Sequence, residues 1–324
     1  MKTIGARRGF SLLELLVAIA ITLTLAATLL AVTTATLNLW RRTQDNFTTA
    51  TQARLVLDYL ERDLQAALFR ADGRTWLAID IINPPASLTT HGWLTTTMMK
   101  PNSTESQLLA PPAVNGVSAT IADSRFGLSG AWLRFNTTNV ETSGSLPIAV
   151  SYQIARRPLS GTNLTATNLA EVRYSLFRSA IAADTTFATG HDVLIGYGSG
   201  SSTPQATRNT GTLTNPNPSD LIATNAVDFG VWLYARDVSG ELARLFPTSN
   251  STFTWDASAS GNFPVVADVM VRILTEEGAK LVAAMENGAM SRPDEFATDA
   301  AWWWAVVEAN SRVVVRRIEM KAML

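Results

Sequence analysis

Residues 15–37 form an uninterrupted uncharged stretch, and this stretch constrains the fold more than any other feature. It contains 23 residues, most of them Leu, Ala, Ile, Val or Thr. About 20 consecutive apolar residues in an α-helix are enough to cross the hydrocarbon core of a bilayer. The sequence therefore predicts one membrane-spanning helix close to the N-terminus.

A single carboxylate, Glu14, lies directly before the uncharged stretch. A charged side chain at the centre of a spanning helix costs about 2.5–3.5 kcal/mol on insertion scales, so an acidic residue here is expected to have a function and a partner. Upstream, a short basic leader ends at Gly9, and the aromatic Phe10 follows. The order of these features is therefore more informative than the apolar stretch alone.

This order resembles the signature of the type IV pilin superfamily, which includes the pseudopilins of type II secretion. That signature is a basic leader, Gly, a cleavage point, Phe or Met, and Glu at the fifth mature position. In this chain Gly9 is the last leader residue, Phe10 would be the first mature residue, and Glu14 the fifth. The resemblance covers about the first 35 residues strongly, and the helix up to about residue 70 more weakly.

The resemblance implies that a prepilin peptidase cuts after Gly9 and N-methylates the new amine of Phe10. It also implies that Glu14 meets the cationic amino terminus of a neighbouring subunit, which would give a buried carboxylate its opposite charge. The alternative is an uncleaved signal-anchor in which Glu14 is incidental. A secretory signal peptide fits less well, because the apolar stretch is too long and no small-x-small cleavage site follows it.

Two looser resemblances concern the subunit type. Residues 57–67 (LDYLERDLQAA) are similar to the J-type minor pseudopilins, and the WWWAVVEAN sequence at 302–310 is similar to the pilin-like Verru_Chthon cassette proteins. They imply a minor subunit of a type II secretion system or of a type IV pilus-like filament. Its partners would be other pilins or pseudopilins, in a hetero-oligomeric filament or a tip complex.

The basic residues around the apolar stretch bear on its orientation. Three of them precede it and two follow it, which weakly favours a cytosolic leader. Together with the resemblance, this count predicts a single-pass protein of the inner membrane whose C-terminal domain is periplasmic.

Downstream of the apolar stretch, apolar residues recur every three or four positions, as in an amphipathic helix. The predicted stripe consists of Ala50, Ala53, Leu57, Leu60, Leu64, Ala67 and Leu68. The flanking charges are Arg54, Asp58, Glu61, Arg62 and Asp63. They are interpreted as a solvated helix face, with ion pairs between subunits as the alternative. The first glycine after this pattern is Gly73, so the helix is expected to continue to residue 72.

The predicted fold class is α+β, in which the long N-terminal helix packs on an antiparallel β-sheet domain, as in pilins. The predicted divisions are the leader at 1–9, the transmembrane or filament-core helix at 10–39, and the amphipathic helix at 40–72. A mainly-β globular domain with short C-terminal helices is predicted at 73–324. Prolines punctuate residues 73–130, which are expected to form loops and small elements.

Alternating apolar and polar residues predict the strands of that domain. These strands are expected at 131–136, 148–155, 172–177, 227–235, 265–274 and 311–320, with a possible short strand at 76–82. The strands at 148–155 and 172–177 are expected to pair as a hairpin with a long loop at 158–170. Helices are predicted at 276–287, capped by Thr275, and at 299–309. Because three consecutive residues cannot share one helix face, at least one of the tryptophans at 302–304 is expected to be exposed or at an interface.

Composition excludes several function classes. The chain has no cysteine, two histidines and a net charge of −1, which disfavours thiol chemistry, a histidine-rich metal centre and nucleic-acid binding. The GYGSG sequence at 196–200 lacks the helix start and lysine of a phosphate-binding loop, so a surface loop is expected. No catalytic residues, metal site or cofactor are predicted. A membrane-anchored periplasmic binding protein that does not polymerise is the alternative function, and a tethered enzyme lacks a supporting motif.

Overall fold

A computed structural model gives the architecture of the chain. It describes residues 11–81, 113–114, 117–118, 131–138, 146–158, 172–188, 190–193, 218–246, 252–256, 263–286, 289–297 and 299–321. The chain divides into two compact units, Met1–Thr48 and Thr49–Leu324.

The described part of the first unit is helical. Helix α1 spans Leu12–Gln65 and extends into the second unit. The sequence has no proline or glycine from residue 10 to residue 72, so nothing local interrupts the helix. This confirms the prediction of one long N-terminal helix.

The end of α1 differs from the prediction. The helix stops at Gln65 rather than at residue 72, because the chain joins a sheet directly afterwards. Ala67 and Leu68 form a short strand, and the Thr137 hydroxyl donates to the backbone carbonyl of Asp63 at 2.8 Å. The sheet therefore supplies a hydrogen-bond donor to a carbonyl of the last turn, where carbonyls have no partner inside the helix itself.

The second unit is built mainly from antiparallel strands. In chain order these are β1 (Ala67–Leu68), β2 (Leu77–Ile81), β3 (Ala113–Val114), β4 (Val117–Ser118), β5 (Ala131–Thr138), β6 (Pro147–Pro158), β7 (Val172–Ile181), β8 (Leu221–Thr224), β9 (Ala226–Arg236), β10 (Leu242–Phe246), β11 (Thr252–Trp255), β12 (Val266–Leu274) and β13 (Ser311–Glu319). One sheet has the order β11-β2-β5-β6-β7-β8, with β1 also paired to β5. A second sheet has the order β10-β9-β12-β13, and β3 pairs with β4.

The pairing confirms the predicted fold class and the predicted hairpin. Strands β6 and β7 pair antiparallel along their length, from Ala149 opposite Ile181 to Pro158 opposite Val172. Every strand pair in the described residues is antiparallel. The molecule is therefore α+β, with helix and antiparallel sheets as predicted.

The C-terminal part of α1 shares a hydrophobic core with both sheets. Its buried apolar residues are Ala53, Val56, Leu57, Leu60 and Leu64. Burying a side chain of the size of leucine contributes about 1.5–3 kcal/mol, so this stripe accounts for the packing of the helix on the sheets. Ala50 was predicted to belong to the stripe but is exposed, and Thr49 is buried beside it.

The described residues of this unit also contain three shorter α-helices, α2 (Ala183–Ala188), α3 (Glu276–Glu286) and α4 (Asp299–Ala309), and a 3-10 helix at Pro218–Asp220. The predicted cap of α3 is confirmed, because the Gly278 N–H donates to the Thr275 hydroxyl at 3.1 Å. Helices α3 and α4 contact each other, and α4 also contacts β13.

The prediction that one of the tryptophans on α4 is exposed was wrong. Trp302, Trp303 and Trp304 are all buried. Trp303 packs edge-on against Tyr174 at 5.9 Å and against Trp304 at 5.0 Å, measured between ring centroids. Since α4 is covered on more than one side, consecutive residues can be buried although they point in different directions.

Gly278 allows the close approach of α3 to the end of α4. A Cβ atom at this position would lie 2.5 Å from the Cβ of Asn310 and 3.0 Å from its carbonyl oxygen. We expect Gly278→Ala to destabilise the protein by about 1–3 kcal/mol through this overlap, although alanine favours a helix by about 1 kcal/mol. Denaturant unfolding of the full chain in detergent would measure the change. The double variant with Asn310→Gly should recover part of the loss, whereas an unchanged or raised stability in Gly278→Ala would contradict the overlap.

Candidate functional site

Glu14 lies in the first turn of α1 and forms a reciprocal pair of hydrogen bonds with Ser11. The Ser11 N–H donates to the Glu14 carboxylate oxygen Oε2 at 2.9 Å. The Glu14 N–H donates to the Ser11 hydroxyl oxygen at 3.2 Å. This is the capping box, in which the N-cap residue and the third helical residue satisfy each other's backbone N–H groups.

Of the predicted site residues Gly9, Phe10 and Glu14, only Glu14 falls within the described residues. Ser11 was not among the predicted site residues. The information was nevertheless present, because SLLE at residues 11–14 has the S-x-x-E spacing of a capping box and directly precedes an apolar run. A helix that begins at Leu12 therefore has its start encoded locally.

The N-terminal part of α1 exposes a continuous apolar surface. Its exposed large apolar residues are Leu12, Leu13, Leu15, Leu16, Val17, Ile19, Ile21, Leu23, Leu25, Leu29, Leu30, Val32, Leu37, Leu39 and Trp40. Soluble monomers seldom expose apolar patches larger than a few hundred Å². A surface of this kind requires lipid or other apolar helices around it.

Threonine hydroxyls in the same stretch are satisfied within the helix. Thr22 donates to the Ala18 carbonyl at 2.8 Å, and Thr36 donates to the Val32 carbonyl at 2.8 Å. The same bonding to the carbonyl four residues earlier occurs at Thr24, Thr28, Thr33 and Thr34. Because the hydroxyls need no outside partner, these threonines are compatible with an apolar environment.

One helix in the described part of the chain, α1, is long and apolar enough to cross a membrane. None of the residues in its most apolar 18-residue window is buried. A helix that is apolar on all sides and uncovered by its own chain is typical of a membrane segment rather than of a soluble core.

A second polar cluster lies where α1 joins the larger sheet. Asp63 is buried on the helix, and the Arg178 guanidinium of β7 donates to both of its carboxylate oxygens, Nε to Oδ2 at 2.7 Å and Nη2 to Oδ1 at 2.9 Å. The Tyr152 hydroxyl of β6 donates to Asp63 Oδ2 at 2.5 Å. Arg178 Nε also approaches the Tyr152 oxygen, at 3.1 Å. A bidentate, charge-assisted pair of this kind is among the stronger polar contacts in proteins.

The electrostatics of this cluster follow from burial and from the ion pair. Burial raises the pKa of the Tyr152 hydroxyl well above its usual range, and the adjacent Asp63 charge adds to the effect. Burial opposes the charge on Arg178, but the hydrogen bonds and charge interactions with Asp63 and Tyr152 together outweigh burial and raise the pKa of the guanidinium. The tyrosine therefore stays neutral and the arginine stays charged at neutral pH.

A further ion pair connects α1 to the second sheet. Arg316 Nη1 on β13 lies 2.7 Å from Asp58 Oδ1 and 2.7 Å from Glu61 Oε2. The interpretation of the helix charges as a solvated face was wrong for Asp63, which is buried, whereas Asp58 and Glu61 are 55% and 40% exposed although both are paired. Their partners lie on strands of the same chain, whereas the sequence alternative placed them on another subunit.

No metal centre is found in the described ranges. Within them, no group of three or more His, Asp or Glu side chains could hold a metal ion. The Gly-rich sequence at 196–200 lies outside the described residues. The features that call for a functional explanation are therefore the Ser11–Glu14 pair and the apolar surface that follows it.

Comparison with protein families matches residues 5–30 to the prokaryotic N-terminal methylation motif. The match covers the leader from Gly5 onward, Phe10, Glu14 and the uncharged stretch as far as Leu30, and it supports the resemblance of this segment to the type IV pilin and pseudopilin superfamily. Proteins of this superfamily are structural. Residues 5–30 therefore have the motif found in pilin-like substrates of prepilin peptidase, and α1 is long and apolar enough to anchor the chain in a membrane. Neither the curated proteins nor the solved structures contain a match.

Proposed function

We propose that the chain is a pilin-like structural subunit, a minor pseudopilin of a type II secretion system or of a type IV pilus-like filament. Prepilin peptidase would process it between Gly9 and Phe10, and the N-terminal helix would then assemble it with other pilins or pseudopilins. The observation that supports this proposal most strongly is the position of Glu14, which lies in the methylation motif at the first turn of an uncovered apolar helix.

Charge pairing gives the assembly step its physical basis. Cleavage after Gly9 would place a cationic amine on Phe10, and N-methylation would keep that charge. An ionised carboxylate is expensive in hydrocarbon unless an opposite charge accompanies it. The amine of an adjacent subunit would supply that charge to Glu14. A carboxylate has two oxygens and several acceptor sites, so Glu14 can accept a hydrogen bond from the Ser11 N–H and still accept others from an amine.

Helix packing would then hold the subunits together. As subunits leave the bilayer, the exposed apolar surface of residues 12–40 must be covered again. Equivalent surfaces on adjacent subunits can cover it, because apolar helices associate through close packing when lipid is removed.

The proposed location rests on the basic residues around the apolar stretch and on the resemblance, and the proposed position in the filament rests on the size of the soluble domain. The leader would lie in the cytosol, the helix in the inner membrane, and the domain of residues 73–324 in the periplasm. A soluble domain of about 250 residues is large for a subunit repeated along a filament. A minor position, at or near a tip, leaves room for such a domain.

Mass spectrometry of the intact native protein tests the processing step. We expect the mature chain to begin at Phe10 with a methylated amine, so that residues 1–9 are missing from every peptide map. A native protein that retains these nine residues would leave an uncleaved signal-anchor as the explanation of the apolar helix.

Replacing Glu14 with alanine tests assembly separately from processing. We expect Glu14→Ala to be cleaved normally but to enter complexes with adjacent subunits about 10–100-fold less, since a charged hydrogen bond contributes roughly 1.5–3 kcal/mol. A photo-crosslinker at the exposed position Leu25 would report adjacent subunits in native cells. Thr28→Ala is the matched control, because its hydroxyl bonds only within the helix. Normal incorporation of Glu14→Ala would favour the membrane-anchored binding protein that does not polymerise.

A further inference from the structure

The capping box at the start of α1 contains the carboxylate on which assembly is proposed to depend. Ser11 and Glu14 hold each other through two backbone-to-side-chain hydrogen bonds, of 2.9 Å and 3.2 Å. In other helices a capping box only satisfies backbone donors. Here one of its two side chains is also the acid of the methylation motif.

The two bonds restrict where the carboxylate can lie. A free glutamate side chain rotates about several bonds and samples many positions, and ordering it costs conformational entropy. The Ser11 N–H holds Oε2 against the first turn of α1, so the remaining acceptor positions of the carboxylate stay at the same end of the helix. Any cation that pairs with Glu14 there meets a side chain that is already ordered.

The two hydrogen bonds between Ser11 and Glu14 matter more at the start of a membrane helix than at the start of a solvated one. The first backbone N–H groups of a helix have no partner within the helix, and in hydrocarbon water cannot supply one. The capping box satisfies the N–H groups of Ser11 and Glu14. Without the serine hydroxyl, the Glu14 N–H would lose its acceptor, and the helix start that positions the carboxylate would be less well defined.

We propose that Ser11 is a positioning residue for Glu14: its hydroxyl fixes the first turn of α1, so that the Glu14 carboxylate is held in place for an incoming cationic amine. This inference rests on the proposed function, because it assigns Ser11 a role in the same assembly step. Ser11 does not contact the partner in this scheme, and its effect passes through Glu14.

Substitutions at Ser11 separate positioning from simple capping. Ser11→Ala removes the hydroxyl acceptor, whereas Ser11→Thr keeps it. We expect Ser11→Ala to lower crosslinking from position Leu25 to adjacent subunits by about fivefold, which is the typical effect of a lost N-cap. Ser11→Thr should stay within about twofold of the wild type. Both variants should still be cleaved after Gly9, as judged by the mass of the mature chain.

A double-mutant cycle with Glu14 provides the readout that a purely structural cap would not change. If Ser11 acts through Glu14, adding Ser11→Ala to Glu14→Ala should cause no further loss of crosslinking. If the two losses multiply, Ser11 stabilises the helix independently and the positioning role is overturned. Far-UV circular dichroism of each variant in detergent would show whether the helix itself is retained.

The outcomes distinguish this inference from the function on which it rests. Absence of crosslinks from the wild-type chain would contradict both. Wild-type crosslinking that is lost in Glu14→Ala but unchanged in Ser11→Ala would retain the proposed function and overturn only the role of Ser11.

Discussion

Replacing Gly9 with alanine is expected to leave the nine leader residues attached to most of the chain. The resemblance places the scissile bond between Gly9 and Phe10, so a side chain at residue 9 would lie next to the bond that the peptidase cuts. A Cβ atom added in a tight site costs typically about 1–3 kcal/mol, which corresponds to roughly a 5–150-fold slower reaction. The mass of the membrane-bound chain would show precursor in place of the mature form.

The leader contains its own matched control. Gly5 is also a glycine, but it lies four residues before the proposed cleavage point. Gly5→Ala should therefore be processed like the wild type. Normal cleavage of Gly9→Ala, or equal loss in both variants, would contradict the assignment of Gly9 as the last leader residue.

The Gly9 and Glu14 variants should fail at different steps. In Gly9→Ala no new amine forms, so both processing and assembly should be lost. In Glu14→Ala the amine forms but the carboxylate is missing, so only assembly should be lost. Crosslinking and chain mass, measured on the same samples, would show whether leader cleavage precedes assembly. Only a subunit that is processed before it assembles should show this order.

The parts of the fold that follow from short-range patterns could be predicted from the sequence. The uncharged stretch predicted α1, and period-two alternation predicted β6 and β7 together with their pairing. Thr275 predicted the start of α3. In each case the local preference of the chain and the final packing agree, so a window of about ten residues contained enough information.

The features that depend on tertiary contacts could not be predicted in this way. Helix α1 ends at Gln65 because the residues that follow it pair with β5, and Thr137 of β5 donates to a carbonyl of its last turn. No glycine or proline lies at that point. Asp63 was interpreted as a solvated charge, but it is buried because Arg178 and Tyr152 face it from strands more than 80 residues away in the chain. The burial of all three tryptophans on α4 likewise depends on elements distant in sequence.

The candidate site shows the same division. Glu14 was found because its motif is contiguous, and Ser11 could have been found from the S-x-x-E spacing. The intrachain partners of Asp58 and Glu61 could not, because Arg316 lies about 250 residues later. Charge periodicity on a helix shows which residues share a face but not what covers that face.

Replacing Asp63 with alanine is expected to have the largest effect on stability of any single substitution outside the hydrophobic core, about 3–5 kcal/mol. The variant would leave the Arg178 guanidinium, whose side chain is 22% exposed, without its carboxylate. It would also remove the acceptor of the buried Tyr152 hydroxyl. Leaving a charge and a hydroxyl without their partners destabilises the folded state by more than the intact hydrogen bonds stabilise it.

Asp58→Ala is the matched control, because it also removes an aspartate of α1 from an ion pair with an arginine on a strand. Asp58 is 55% exposed, and Arg316 keeps Glu61 as a second partner, so this loss should not exceed about 1 kcal/mol. Urea unfolding of the full chain in detergent, followed by tryptophan fluorescence, would measure both. If the two variants are equally stable, the Asp63 cluster does not fasten α1 to the sheet. If Arg178→Met restores stability to Asp63→Ala, the uncompensated charge is confirmed as the main cause of the loss.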